Sequence, residues 1–170
     1  YGGDITGRLH IYQDVIEAVR QAVGNDFIVG VRFSQKKVND TNHVWSEGEL
    51  AAEKVFSLMR KCQVDYIHTT EPVLSDPAFE QSASLAALAK KYSGLPVIAN
   101  GGVKKPDLAL SVIENRETDM VALGRTALAN PDWPTAVRNG VPLKNFDFAT
   151  LAPIANLESA RKHAESKVSS

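Results

Sequence analysis

The sequence predicts an α/β protein with a parallel sheet, half of a (β/α)8 TIM barrel. Short apolar segments alternate with longer ones of helical periodicity, so each crossover returns the chain to the same strand direction and the sheet must be parallel. The last two apolar segments run into glycine, as Val97-Ile98-Ala99-Asn100-Gly101-Gly102 and Asp119-Met120-Val121-Ala122-Leu123-Gly124-Arg125. In a (β/α)8 barrel the loops after the final two strands commonly build a phosphate site. That placement favours half of a barrel over an open four-stranded sheet.

The elements follow in order. Val15, Ile16, Val19 and Val23 share a face and predict a helix over Tyr12–Val23, closed by Gly24 and Asn25. Phe27–Phe33 reads as a buried strand. A polar loop over Ser34–Ser46 precedes a helix over Glu47–Cys62, with Leu50, Val55, Leu58 and Met59 at helical spacing and Ser46 and Glu49 placed as a capping box. Val64–His68 is the next strand, Glu71–Pro77 a loop, and Phe79–Tyr92 a helix rich in alanine and leucine. Leu95–Ala99 is a strand, and Pro106 with Asp107 opens a helix that runs to Asn115. Met120–Leu123 is the last strand, followed by a short helix that Asn130 and Pro131 end. Residues 1–147 form the half-barrel, and 148–170 a partly helical tail that frays into a mobile end. In half a barrel the strands at Phe27 and Met120 expose unpaired edges, and Val29, Val31, Ile67, Ile98, Val121 and Leu123 are expected to point inward.

Composition narrows the function. The chain has 170 residues, 44% hydrophobic and 23% charged, which is ordinary globular usage with room for one core. A formal net charge of −1 provides no broad field for nucleic acid, so any anion site must be local. The single cysteine, Cys62, cannot form an internal disulfide and fits a reducing compartment, while no apolar run suggests a membrane span. A cytoplasmic location is expected.

The two glycine-ended loops point to a phosphate. Bare backbone N–H groups approach an anion closely only where no side chain intervenes, and Gly101, Gly102 and Gly124 supply such positions. Arg125 adds a forked cation that stays charged.

Several motifs occur together and in order: Tyr1-Gly2-Gly3 with Arg8, Val29-Gly30-Val31-Arg32, Asp65-Tyr66-Ile67-His68 followed by Glu71-Pro72, Ile98-Ala99-Asn100-Gly101-Gly102, and Ala122-Leu123-Gly124-Arg125 followed by Leu128-Ala129-Asn130-Pro131-Asp132-Trp133-Pro134. In this the chain resembles the C-terminal half, strands 5 to 8, of the old yellow enzyme family of NADH:flavin oxidoreductases, over about residues 1–147. The resemblance implies an FMN site. It places Arg32 at the pyrimidine edge of the flavin, Gly101, Gly102, Gly124 and Arg125 at its phosphate, and Asn100 either at the cofactor or orienting the loop through its amide. The implied reaction passes hydride from NADH or NADPH through FMN to an electron-poor alkene or another small-molecule acceptor.

Departures from the family pattern matter as well. The His/His or His/Asn pair that holds the substrate carbonyl, and the proton-donating tyrosine, precede the Tyr-Gly-Gly stretch in the family, and here that stretch opens the chain. The expectation is therefore that this chain alone is inactive, and that it belongs with a missing N-terminal half or forms a homo-oligomer. No catalytic residue or metal ligand is assigned. Residues 4–7, Asp-Ile-Thr-Gly, depart from the family's Ser-Leu-Glu-Asn. His10, His43 and His163 are expected to be solvated, and His68 to end a strand on the catalytic side. The rival readings are another phosphate-binding barrel, such as a tRNA-dihydrouridine synthase or a sugar-phosphate isomerase, and a non-catalytic half-barrel module.

Overall fold

The structure, a computed structural model, describes residues 1–37 and 39–168; Val38 in the polar loop and the two serines ending the tail lie outside the described residues. The chain divides into two compact units, Tyr1–Leu123 and Gly124–Ser170.

The first unit begins with α1 (Ile5–Val23), which starts earlier than its periodicity suggests. The reason is local: the Asp4 side chain accepts the Gly7 N–H at 2.8 Å and caps the helix in the first residues after Gly3. Then come β1 (Gly30–Phe33), α2 (Glu49–Lys61), β2 (Tyr66–Thr70), α3 (Leu85–Ser93), β3 (Val97–Asn100), α4 (Pro106–Glu114) and β4 (Met120–Ala122). The strands form one sheet in the order β1-β2-β3-β4, and every pair is parallel.

Two helix starts differ from expectation. The Ser46–Glu49 capping box is not made: Ser46 donates to Glu47 instead, and α2 starts after Gly48 with no side-chain cap. Phe79–Ser84 is not helical. The Ser82 hydroxyl accepts the Phe79 N–H, and Ser84 caps α3 by accepting the Ala87 N–H at 3.3 Å. In the second segment serine hydroxyls draw the backbone into a turn and a cap.

The register sorts the strand residues onto two faces. Val31, Ile67 and Val97 stand in one row, and Phe33, Thr69, Ala99 and Val121 in a second row on the same face. This face packs against the helices. The core joins it to Leu9 and Ile16 of α1, Ala52, Val55, Phe56 and Met59 of α2, Leu85, Leu88 and Ala89 of α3, and Val112 of α4. Burial of each large side chain contributes about 1.5–3 kcal/mol. The inward set expected from sequence is thus corrected. Val31, Ile67 and Val121 face the helix layer with Leu123, Val29 is buried just ahead of β1, and Ile98 lies on the opposite, open face. Strand alternation fixes two faces but does not say which one meets the helices; the packing partners decide it.

An aromatic chain ties these layers together. Tyr12, Phe33, Phe56, Trp45 and Phe79 follow one another with ring centroids 5.4, 5.6, 6.2 and 6.3 Å apart. At the other end of the strands Arg20 holds α1 to the sheet, donating to the carbonyls of Phe27 and Gln63 and to the Asp65 carboxylate at 3.0 Å.

The second unit holds α5 (Arg125–Ala129), α6 (Trp133–Arg138), a 3₁₀ turn (Phe148–Leu151) and α7 (Leu157–Val168). Asn130 ends α5 as expected and is buried, with its amide bonded to the backbone of Thr126 and Lys144. Among the described residues no helix is long and apolar enough to cross a membrane.

Candidate functional site

The open face of the sheet carries the chemistry. Arg32, His68, Ile98 and Met120 form one row, and Thr70, Asn100 and Ala122 the next row toward the carboxyl ends of the strands. Tyr66 covers the row below: a Cβ on Gly30 would sit 2.2 Å from its ring, so Gly30 is the residue that lets the ring lie flat on the sheet.

Arg32 makes no hydrogen bond or ion pair with the described residues, and it also lines a cleft of about 350 Å³ with Tyr12, Phe33, His43 and Trp45. Beside it His68 is half-buried, and its Nε2 is buried with no hydrogen-bond partner among the described residues. Burial, reinforced by the Arg32 charge, holds the His68 pKa below the usual histidine value. At neutral pH the face therefore presents one fixed cation beside one neutral imidazole. That combination suits a ligand edge rich in acceptor atoms, whether anionic or carbonyl.

Asn100 uses both ends of its amide inside the protein. Its Oδ1 accepts from the Thr70 hydroxyl at 3.0 Å and its Nδ2 donates to the Ala122 carbonyl at 2.8 Å, so it braces β2, β3 and β4 where they end.

Gly101 and Gly102 are glycines for a reason that spacing alone does not reveal. A Cβ on Gly101 would sit 2.1 Å from the Glu71 carbonyl oxygen, and one on Gly102 would sit 2.8 Å from that of Pro72. Their φ values, +149° and +63°, are also ones that other residues rarely adopt. The Glu71-Pro72 pair and the double glycine are therefore two halves of one contact, reinforced by the Glu71 N–H donating to the Asn100 carbonyl and the Leu74 N–H donating to that of Gly101.

Gly124 and Arg125 lie in the second unit. A Cβ on Gly124 would meet nothing within 4 Å among the described residues, so packing places no demand for glycine there. Arg125 is exposed, with its guanidinium carbon 5.6 Å from the Phe148 ring centroid.

The remaining histidines divide. His10 is exposed on α1, as expected. His43 is not solvated: it is half-buried, with Nδ1 2.8 Å from the Gln35 carbonyl. His163 is likewise half-buried and pairs with Asp147 at 3.0 Å. A polar stretch of sequence hides such contacts because they join residues whose proximity only the folded loop creates. Cys62 is a free, half-buried thiol whose pKa burial raises, with Glu17 adding to the shift.

Parallel β/α units that bring a cation and an imidazole toward the carboxyl ends of their strands match the end at which (β/α)8 barrels build their sites. The family model for NADH:flavin oxidoreductase / NADH oxidase matches residues 1–144, and the chain belongs to that family. It is 30% identical to an NADH oxidase of Thermoanaerobacter brockii, over 82% of this chain and 22% of that protein. It is 32% identical to putative 12-oxophytodienoate reductase-like protein 1 of Arabidopsis thaliana, over 84% of this chain and 44% of that one. Among solved structures, an old yellow enzyme homologue from Zymomonas mobilis superimposes with a TM-score of 0.77 at 20% identity, covering 94% of this chain and 44% of its own. Morphinone reductase does so with a TM-score of 0.74 at 24% identity, covering 94% and 42%. These likenesses give the fold as part of a (β/α)8 barrel. The chain spans less than half the length of each of these proteins.

Proposed function

We propose that this chain carries the flavin-phosphate half of an FMN-dependent NAD(P)H oxidoreductase of the ene-reductase type. The observation that carries the reading is the Arg32 guanidinium, unpaired among the described residues, beside a neutral His68 whose Nε2 has no partner among them, on the open face of a sheet from a flavin oxidoreductase family. When bound, FMN would supply the hydride chemistry, taking hydride from NADH or NADPH and giving it to an electron-poor alkene or another small acceptor.

The protein's part is binding and electrostatics. Arg32 would hold the pyrimidine edge of the ring, where its fixed charge favours electron density at that edge. Gly124 fits a phosphate contact because internal packing does not require glycine there, and the exposed Arg125 can add charge-assisted bonds. Gly101 and Gly102 would contribute backbone from a loop that Asn100 braces. A second half-barrel, from a longer chain or another copy, would complete the acceptor side. The free thiol of Cys62 accords with a reducing, cytoplasmic setting.

The test is the visible spectrum of the purified protein titrated with FMN. Saturable binding is expected, weakened by about 1.5–3 kcal/mol in Arg125→Ala, the range for hydrogen bonds to charged groups. A protein that leaves the FMN spectrum and fluorescence unchanged would refute the reading.

A further inference from the structure

Glu71 follows the last residue of β2 and is half-buried. Its carboxylate accepts the Gln35 N–H at 2.7 Å, so it grips the chain just beyond the strand that carries Arg32. Gln35, fully buried, extends the grip. Its Nε2 donates to the Ala78 carbonyl, its Oε1 accepts the Trp45 N–H at 3.1 Å, and its own carbonyl meets His43 Nδ1. Through its backbone the same Glu71 seats Gly101 and Asn100. One side chain and one backbone unit thus join the loops after β1, β2 and β3.

We propose that Glu71 is a positioning residue that acts through Gln35 to set the strand end bearing Arg32 and the loop wall bearing His43 and Trp45. Among the described residues neither Arg32 nor His68 has a hydrogen bond of its own at its charged or buried end, so where the Arg32 guanidinium lies depends on the backbone beneath it. A strand end needs a partner for its last N–H groups, and here the carboxylate supplies it. This proposal rests on the assignment of Arg32 to the flavin ring.

The chemistry of the tie carries a sign. Burial raises the Glu71 pKa, while the N–H groups of Gln35 and Lys36 and the Lys36 charge pull it back; Lys36 is the charged group acting on it among the described residues. A carboxyl with a higher pKa in the closed loop than in the open one favours closure when protonated. The loop therefore loosens as pH rises from the ordinary carboxyl value through the raised one. Glutamine, neutral at every pH and still an acceptor, should hold the loop and abolish that dependence.

The experiment follows amide hydrogen exchange at Gln35, Lys36 and Trp45 together with FMN affinity by fluorescence quenching, in the wild type, Glu71→Ala, Glu71→Gln, Arg32→Ala and the Arg32→Ala/Glu71→Ala pair. Glu71→Ala should speed exchange at these amides and weaken FMN binding about tenfold, the equivalent of one strong hydrogen bond. Glu71→Gln should keep both near the wild type with a flat pH profile, and in the Arg32→Ala background Glu71→Ala should add little. Unchanged exchange in Glu71→Ala overturns the proposal. So does full FMN affinity in Glu71→Ala when Arg32→Ala has lost it. Faster exchange with FMN affinity indifferent to Arg32→Ala would instead sink the flavin assignment of Arg32 and leave the tie standing. Should Glu71→Ala fail to fold, the Glu71→Gln pH profile decides: a wild-type dependence that survives in it overturns the proposal.

Discussion

At the residue scale, three glycines that look alike in sequence do different work. Gly101 and Gly102 each exclude a Cβ because the Glu71-Pro72 backbone occupies that space, whereas Gly124 has open space around it. Gly101→Ala should therefore cost stability, about 1–3 kcal/mol for a forced backbone shift, seen as a lower urea midpoint. Gly124→Ala should leave the midpoint within about 0.5 kcal/mol and instead weaken FMN binding. Equal stability losses in the two variants would remove the distinction. A glycine motif in a sequence marks where side chains are excluded, and coordinates are needed to say whether chain or ligand excludes them.

At the scale of elements, side-chain bridges hold the strand ends at both edges of the sheet. Toward the carboxyl ends Asn100 joins Thr70 to Ala122, and Asn100→Ala should lose about 1 kcal/mol in chemical denaturation, since it leaves two part-buried polar groups without that partner. At the opposite end Asp65 accepts the Val29 N–H and then the Arg20 guanidinium, which together hold its pKa below the ordinary carboxylate value. The depressed folded pKa means that this contribution is present above the unfolded value and is lost as pH falls through the folded one. Asp65→Asn should flatten the acid limb of a Tm-against-pH curve, and an unaltered limb would deny Asp65 that role.

These bridges also mark how far the sequence could be read. Parallel direction and the central residues of α1 to α4 and β1 to β4 follow from periodicity, because the core repeats with it. Phe27 and Ile28 read as strand yet lie outside the ladder, since apolar character does not distinguish a paired residue from an edge one. Arg32 was legible as a strand-end cation, and His68 as its neighbour in space only once the register set them in one row. The Glu71–Gln35 tie was not legible at all. It joins positions 36 residues apart through a backbone N–H, and sequence has no mark for a backbone donor that needs a partner.

At the scale of the whole molecule, the first unit leaves an apolar stripe in water. Ile11, Val15, Val19 and Val23 follow each other at four-residue spacing along α1, each between 39% and 55% exposed, while Leu9 and Ile16 on the other side are buried. Phe27 and Ile28, just before β1, are 62% and 71% exposed, and β1 pairs only with β2 among the described strands. A contiguous apolar stripe beside an unpaired strand edge is the kind of surface that soluble proteins cover. It is also where a further β/α unit would add in a barrel, with its strand on the edge of β1 and its helix on α1. The chain on its own should accordingly associate as concentration rises, with sedimentation velocity showing a growing fraction of faster species. Replacing Val15 and Val19 by lysine should suppress that fraction without lowering stability by more than about 0.5 kcal/mol per site, because neither side chain belongs to the core. Lysine works here by charge: each added ammonium would have to be desolvated in any packed helix interface, a cost that water does not impose on the free chain. A wild-type chain that stays monomeric at all accessible concentrations would show that the stripe needs no cover, and association undiminished by the two lysines would move the contact elsewhere.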